Sequence, residues 1–166
     1  MSSMDIELDC QGIDYGMADP QIKLQASAVP YRRSQANIEL CLITTRRTGR
    51  WVFPKGNAQC ANSLTHTALQ EADEEAGLVG EIDNEALGTY SQKKDGRLTR
   101  VTAFLMQVEH SRESWKEDEQ RQRCWVSAAE AEQMLDRPEL RELLRSALTR
   151  IHTGGGGQSA LQSHIA

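Results

Sequence analysis

The stretch that most restricts how this chain can fold is Gly56 to Leu78, GNAQCANSLTHTALQEADEEAGL. Trp51-Val52-Phe53 reads as a short strand that Pro54-Lys55-Gly56 brings to an end. A polar loop follows, then a helical stretch that Gly77 stops. Within that helix Glu71, Glu74 and Glu75 stand at i, i+3 and i+4. At about 100° per residue they share an arc of roughly 100° on one face. Ala68, Leu69, Ala72 and Ala76 take the adjoining arc, where small side chains let a helix press closely on a sheet. Like charges at this spacing destabilise a bare helix by roughly 0.2–0.5 kcal/mol per pair. A divalent cation turns that repulsion into attraction, because magnesium-like ions take oxygen ligands and also bridge to substrate phosphates. By itself such a helix is more often just a solvated acidic face. The flanking residues shift that balance.

Gly56, Glu71, Ala72, Glu74, Glu75, Gly77 and Leu78 follow the order Gly, five residues, Glu, seven residues, Arg-Glu-apolar-any-Glu-Glu-any-Gly-apolar. In this the chain resembles the Nudix hydrolases, over a span from about Leu24 to Leu148. Asn62 stands where that family has Glu, and Gln70 where it has Arg. The resemblance implies an α/β fold, an α/β/α sandwich with a mixed β-sheet. It implies metal-dependent hydrolysis of a phosphoanhydride, with Mg2+ or Mn2+ as cofactor. Residue by residue, it makes Glu71 and Glu75 metal ligands, Glu74 a third ligand or the base, and the Gly56 carbonyl a further ligand. Glu119, in the loop before the last strand, is a second candidate base or an ordinary surface acid. Divalent ions would neutralise the diphosphate oxygens and help activate water, and a positioned carboxylate could take the proton.

The two departures bear on the same network. The family's Arg fixes the carboxylates through ionic hydrogen bonds, so Gln70 and Asn62 leave that task to weaker neutral ones. Losing one acid and one base together keeps the local charge, which reads as a coupled replacement. The alternative is a Nudix-fold ligand-binding or regulatory protein without turnover; retention of all three glutamates argues for the enzyme.

The runs YRR, TTRRTGRWVFPKG, EEAG and RQRCWV are most similar to the diphosphoinositol polyphosphate phosphohydrolase-like branch, whose enzymes also act on diadenosine polyphosphates. Arg32, Arg46, Lys55, Arg100 and Arg121 match its basic positions, as substrate-binding candidates or as ordinary solvated charges. Aromatic residues are only 5% of the chain, and Trp51, Phe53 and Trp125 look like core or strand residues. Recognition of phosphate is therefore favoured over recognition of a base. A net charge of −5 argues against a nucleic-acid polymer as partner, but a local basic patch can still hold a small phosphorylated substrate.

The remaining sequence divides into an irregular lead-in (1–21), the Nudix domain (22–152) and a flexible Gly-rich tail (153–166). At 166 residues the chain is long enough for a proper core. Strands are expected at Leu24–Tyr31, Ile38–Thr45, Ala86–Lys93, Leu98–Val108 and Arg121–Val126, with Asp95-Gly96 turning a hairpin. Ser127 should cap a helix Ala128–Leu135, with Glu130 completing a capping box. Leu140, Leu143, Leu144, Ala147, Leu148 and Ile151 give helical spacing over Glu139–His152, ended by Gly154–Gly157. The four cysteines form no CxxC pair, as expected of reduced thiols. No P-loop, GxGxxG, GxSxG or HExxH pattern is present. No apolar run nears the ~20 residues of a membrane span, and the acidic start MSSMDIELDC does not read as a signal peptide. A soluble, cytoplasmic protein is expected, with no membrane partner.

Overall fold

A computed structural model describes residues 22–59 and 62–165, with side chains described as far as Gly154. The lead-in, Cys10 and Cys60 lie outside the described residues. Alternation of period two builds the centre of the molecule. In β1 (Lys23–Ser34) and β2 (Asn37–Thr44), Ala26, Ala28, Cys41 and Ile43 point to one face, and Val29, Tyr31, Leu40 and Leu42 to the other. β6 (Arg97–Ser111) does the same with Phe104 and Met106 against Ala103 and Leu105. A sheet that is apolar on both faces needs a layer on each.

Helix α1 (Leu64–Ala76) covers the first face through Ala68, Ala72 and Ala76, all fully buried. Helices α2 (Ala128–Met134) and α3 (Pro138–Ile165) cover the second through Ala131, Leu140, Leu143, Leu144, Ala147 and Ile151. The result is an α/β/α sandwich. Among the described residues the sheet has seven strands, adding β3 (Trp51–Val52), β4 (Lys55–Asn57), β5 (Leu78–Lys94) and β7 (Arg123–Ser127); it runs β3-β2-β1-β6-β5, with β4 added on β1 and β7 on β2. β1 and β6 are parallel, and the other pairings are antiparallel.

Asp95 and Gly96, at φ 53° and 76°, close the two-residue hairpin between Lys94 and Arg97, the left-handed pair that such a turn requires. The Ser127–Glu130 capping box opens α2. Several boundaries differ from expectation. β5 (Leu78–Lys94) begins directly after Gly77 rather than at Ala86, and β6 continues to Ser111 rather than Val108. Their added length is mutual pairing, with register shifts near Gly80 and Ala86. β3 (Trp51–Val52) stops one residue early, and Lys55–Asn57 forms an unexpected strand β4 on β1. β7 is Arg123–Ser127, so Arg121 and Gln122 precede it. Helix α3 passes through the glycine run expected to end it at 154. Glycine lowers helix propensity by roughly 1 kcal/mol per residue but does not forbid helical backbone.

Candidate active site

β4 and α1 face each other across the end of the sheet. Ser27 Oγ and the Ala28 N–H both donate to the Pro54 carbonyl, at 2.8 and 3.1 Å, and Ala26 pairs with Gly56. This fixes Lys55 and Gly56 against the helix. Ser63 caps α1 by accepting from the His66 N–H at 3.2 Å. At the other end Gly77 takes a left-handed φ of 66° and donates to Ala72 and Asp73, a glycine C-cap that satisfies the last carbonyls.

Glu71 lies against Gly56 so closely that a Cβ there would fall 2.2 Å from its carboxyl carbon. Glu75 is 5% exposed; it accepts from the Lys55 N–H at 2.8 Å and pairs with Arg121 at 2.5 Å. Burial, then Glu74 and Glu117, push the Glu71 carboxyl up to about 7. Burial pushes Glu75 to about 7 as well, against the pull of Arg121 and the Lys55 N–H. Glu71, Glu75 and Glu117 line one cleft of about 810 Å³ with Gly56.

Glu74 is not among the residues that line this cleft. It accepts from Gln70 at 3.2 Å and lies 3.6 Å from Lys116. Glu119 is exposed on a turn and does not line the cleft. Glu117 does, two residues earlier, because its N–H is tied to the Glu74 carbonyl at 3.1 Å. Nothing in the polar run 109–120 distinguishes one glutamate from the next by pattern. Only the contact of this loop with the helix end does so.

The expected basic cradle is divided in the same way. Arg46, Lys55 and Arg121 line the cleft, while Arg32 and Arg100 do not. Arg32 is paired with Glu39 at 3.0 Å and stacked over Trp125 at 4.0 Å, and Arg100 is exposed on β6. Arg47, Arg50, Lys94 and Arg137 join the cleft instead. Among the described residues, seven cations and four acids (Glu71, Glu75, Glu117, Asp136) thus line it, a local excess of three positive charges on a chain of net charge −5. Lys55 donates to Gln92 at 3.0 Å, and burial, then Arg137, lower its ammonium to about 8. Of the added cations, Arg47 and Arg50 belong to the basic run TTRRTGR. Lys94 and Arg137 carry no sequence signal, since only the hairpin and the α2–α3 junction bring them to the cleft.

Among the described residues no three Asp, Glu, His or Cys side chains already stand in ligating geometry. The residues nevertheless fit a hard divalent ion. The donors are all oxygens, the space for a side chain at Gly56 is filled by the Glu71 carboxyl, and three carboxylates crowd one volume. No hydrogen bond or ion pair reaches the Glu71 carboxylate among the described residues, whereas Glu75 is held from two sides.

A family model described as NUDIX domain matches residues 22–147. Nudix hydrolase 21, chloroplastic, of Arabidopsis thaliana is 34% identical over 128 residues, which cover 74% of this chain and 64% of that protein. This chain therefore spans slightly under two thirds of that relative's length. Diphosphoinositol polyphosphate phosphohydrolase 3-alpha of Mus musculus is 28% identical over 120 residues, 70% of this chain and 72% of that one. The crystal structure of C. elegans Ap4A hydrolase superposes with a TM-score of 0.67 at 21% identity, covering 78% of this chain and 98% of that one. No helix among the described residues is long and apolar enough to cross a membrane. Chloroplastic and mitochondrial names among the relatives lend no support to the expected cytoplasmic location.

Proposed function

The chain belongs to the Nudix family, and on that premise we propose that it is a divalent-metal-dependent phosphoanhydride hydrolase. Its substrates are small and dense in phosphate, such as a diphosphoinositol polyphosphate or a dinucleoside polyphosphate. The observation that carries this reading is the division of charge in the cleft. Carboxylates gather beside Gly56, while cations dominate the rest of the lining of an otherwise acidic protein. A nucleotide reader would need stacking surfaces. The three aromatic residues along the cleft are committed to the core: Phe53 is buried in it, and Trp51 and Tyr90 are partly buried and pack against it.

Glu71, Glu75 and the Gly56 carbonyl are the groups assigned to hold Mg2+ or Mn2+. The bound metal would supply charge neutralisation for the anhydride oxygens and for the leaving phosphate. Glu117, carried by a loop rather than by the helix, is assigned to take the proton of the attacking water. Arg47, Arg50, Lys94 and Arg137 are assigned to the outer phosphates, and Arg46, 3.8 Å from Glu117, to a phosphate beside the carboxylates. Arginine can meet a phosphate through two parallel hydrogen bonds, so such a lining counts phosphates and reads their geometry.

The same cleft without turnover, binding an anionic ligand, is the second reading. It is favoured by Gln70, which offers Glu74 only a neutral amide. A substrate panel with Mg2+ and Mn2+, read by phosphate release, separates the two. The expected result is turnover that chelation abolishes, and that Glu75→Gln lowers by about 10³-fold or more in kcat while the protein stays folded. Ligand binding without phosphate release across the panel would favour the regulatory reading.

A further inference from the structure

The segment 112–123 is bolted to the C-terminal end of α1. The Glu74 carbonyl accepts from the Glu117 N–H at 3.1 Å and the Gly77 carbonyl from the Arg112 N–H at 2.8 Å. The Glu75 carbonyl accepts from Trp115 Nε1 at 3.0 Å, and the Ala76 carbonyl from Arg123 Nη1 at 2.8 Å. Carbonyls in a helix's last turn have no partner within the helix, so here the loop supplies them. The Arg123 guanidinium also stacks on Trp115 at 4.0 Å, and Gly77 leaves room for both, since a Cβ there would come within 3.0 Å of the ring atom Trp115 Cδ2 and of Arg123 Nη1.

From the end of this loop the Arg121 side chain, 9% exposed, enters between three elements. Nη2 meets Glu75 Oε2 at 2.5 Å, Nε meets Glu117 Oε1 at 3.2 Å, and Nη1 donates to the Thr44 carbonyl at 3.0 Å. One buried guanidinium therefore ties a helix carboxylate to a loop carboxylate and anchors both to the end of β2. Lys116, the cation nearest Glu74, has a side chain 70% exposed at 3.6 Å, a spacing that contributes little.

We propose that Arg121 is a positioning residue that sets the distance between Glu75 and Glu117, and not a contact for substrate phosphate. The argument is geometric. Each of its three nitrogens already faces a protein acceptor, which commits three of its five N–H donors, and a phosphate that drew the buried head group toward itself would pull it from the carboxylates it pairs. An uncompensated buried carboxylate is a costly state. The planar fork is also what the task requires, because a lysine offers a point charge that cannot hold two carboxylates and a carbonyl in one plane. This inference rests on reading the cleft as a metal-dependent hydrolytic centre.

The test uses the full chain carrying Arg121→Met or Arg121→Lys, with two readouts. The first is the Mn2+ dissociation constant without substrate, from the electron paramagnetic resonance of free Mn2+. The second is kcat and KM for a dinucleoside polyphosphate. Loss of such an outer partner costs about 10–100-fold in metal affinity. Arg121→Met is therefore expected to weaken Mn2+ by at least tenfold and to lower kcat by about 100-fold, with KM within about threefold. Arg121→Lys should recover part of the metal affinity. Adding Glu117→Gln to Arg121→Met should bring little further loss, as for residues acting through one another. A rise in KM with metal affinity and kcat unchanged would overturn the inference and make Arg121 a substrate contact. If Arg121→Met does not fold, the lysine variant alone decides by the same two quantities. Wild-type turnover with wild-type values in both variants overturns this inference alone. Wild-type protein that neither binds Mn2+ nor releases phosphate overturns the hydrolytic reading with it.

Discussion

Gly56→Ala asks whether the contact between β4 and the carboxylate helix is a working part of the centre. Gly56 pairs with Ala26 in the ladder and its φ lies outside the left-handed region, so alanine meets no backbone strain there. What it meets is Glu71. The new Cβ would stand 2.2 Å from the carboxyl carbon, 2.3 Å from Oε1 and 2.6 Å from Cγ. Ordinary contact begins near 3.4 Å, so the carboxyl carbon must retreat by about 1.2 Å and Cγ by about 0.8 Å. Displacement of a reacting group by about 1 Å can cost about 10²-fold in rate, equivalent to about 2.7 kcal/mol of barrier. The fold should tolerate the change, because the clash is relieved by turning the free end of a half-buried side chain. Alanine also removes some freedom from the unfolded chain, an effect of about 0.4–1 kcal/mol in the stabilising direction. The assay is phosphate release at saturating Mn2+, run beside a thermal melt. Gly88→Ala serves as the matched control, since its Cβ would only touch Leu143 Cδ2 at 3.4 Å. The expected result is a loss of about 100-fold for Gly56→Ala, near-normal activity for Gly88→Ala, and melting temperatures within a few degrees of wild type. Activity of Gly56→Ala within about threefold of wild type would refute the placement of Glu71 at the centre, and a melt lowered by more than about 10 °C would refute the claim that the effect is local.

Arg46→Ala should raise KM for a dinucleoside polyphosphate more than for ATP, whereas Arg32→Ala and Arg100→Ala should leave both KM values alone, as neither residue lines the cleft; KM measured at two salt concentrations checks this, since contacts from an exposed cation are screened. Asn62→Glu and Gln70→Arg were expected to act as a pair, but Asn62 donates to Gln59 at 3.5 Å and Gln70 to Glu74 at 3.2 Å, with no shared partner. A double-mutant cycle on kcat/KM should therefore be additive within about 0.5 kcal/mol, and a larger coupling would show that the two sites communicate. Burial raises the Tyr90 phenol to about 12 from an ordinary 10, so its neutral form is favoured by folding. That stabilisation is fully present below pH 10 and is lost as pH rises from about 10 to about 12; Tyr90→Phe should lessen the alkaline decline of the melting temperature over that window, and an unchanged slope would refute it.

The parts of the fold legible in the sequence were those whose cause is local. β1, β2 and β6 carry alternating side chains for two different helical layers, and Asp95-Gly96 supplies the pair of positive φ values of a type I′ turn. The first half of β5 was not legible. Glu81, Asp83, Asn84 and Glu85 make it polar, and its strand character comes from pairing with β6 across register shifts. The three-residue β4 was hidden for the same reason: Lys55-Gly56-Asn57 has no β propensity of its own and is extended because Gln25, Ala26 and Ser27 offer it a ladder.

The site follows that division between local and tertiary causes. Glu71 and Glu75 could be read because helical spacing alone puts them on one face, yet the same spacing also promised Glu74. The helix turns past the cleft within that arc, and Glu74 meets Gln70 and Lys116 instead. Glu117 and Arg121 could not be read as a pair, since their partnership depends on orphan carbonyls at the end of α1 drawing the loop onto the helix. The substrate cations followed the same rule. Arg32 matched a pattern but spends its charge on Glu39, while Lys94 and Arg137 matched none and arrive through a hairpin and a helix junction. Net charge therefore says little about what a cleft will hold. This chain totals −5, but the surface that would meet a ligand has three more cations than acids. A polyphosphate approaching the protein responds to that local field over roughly one Debye length, about 8 Å at physiological ionic strength, and over that distance the acidic remainder of the surface is largely screened.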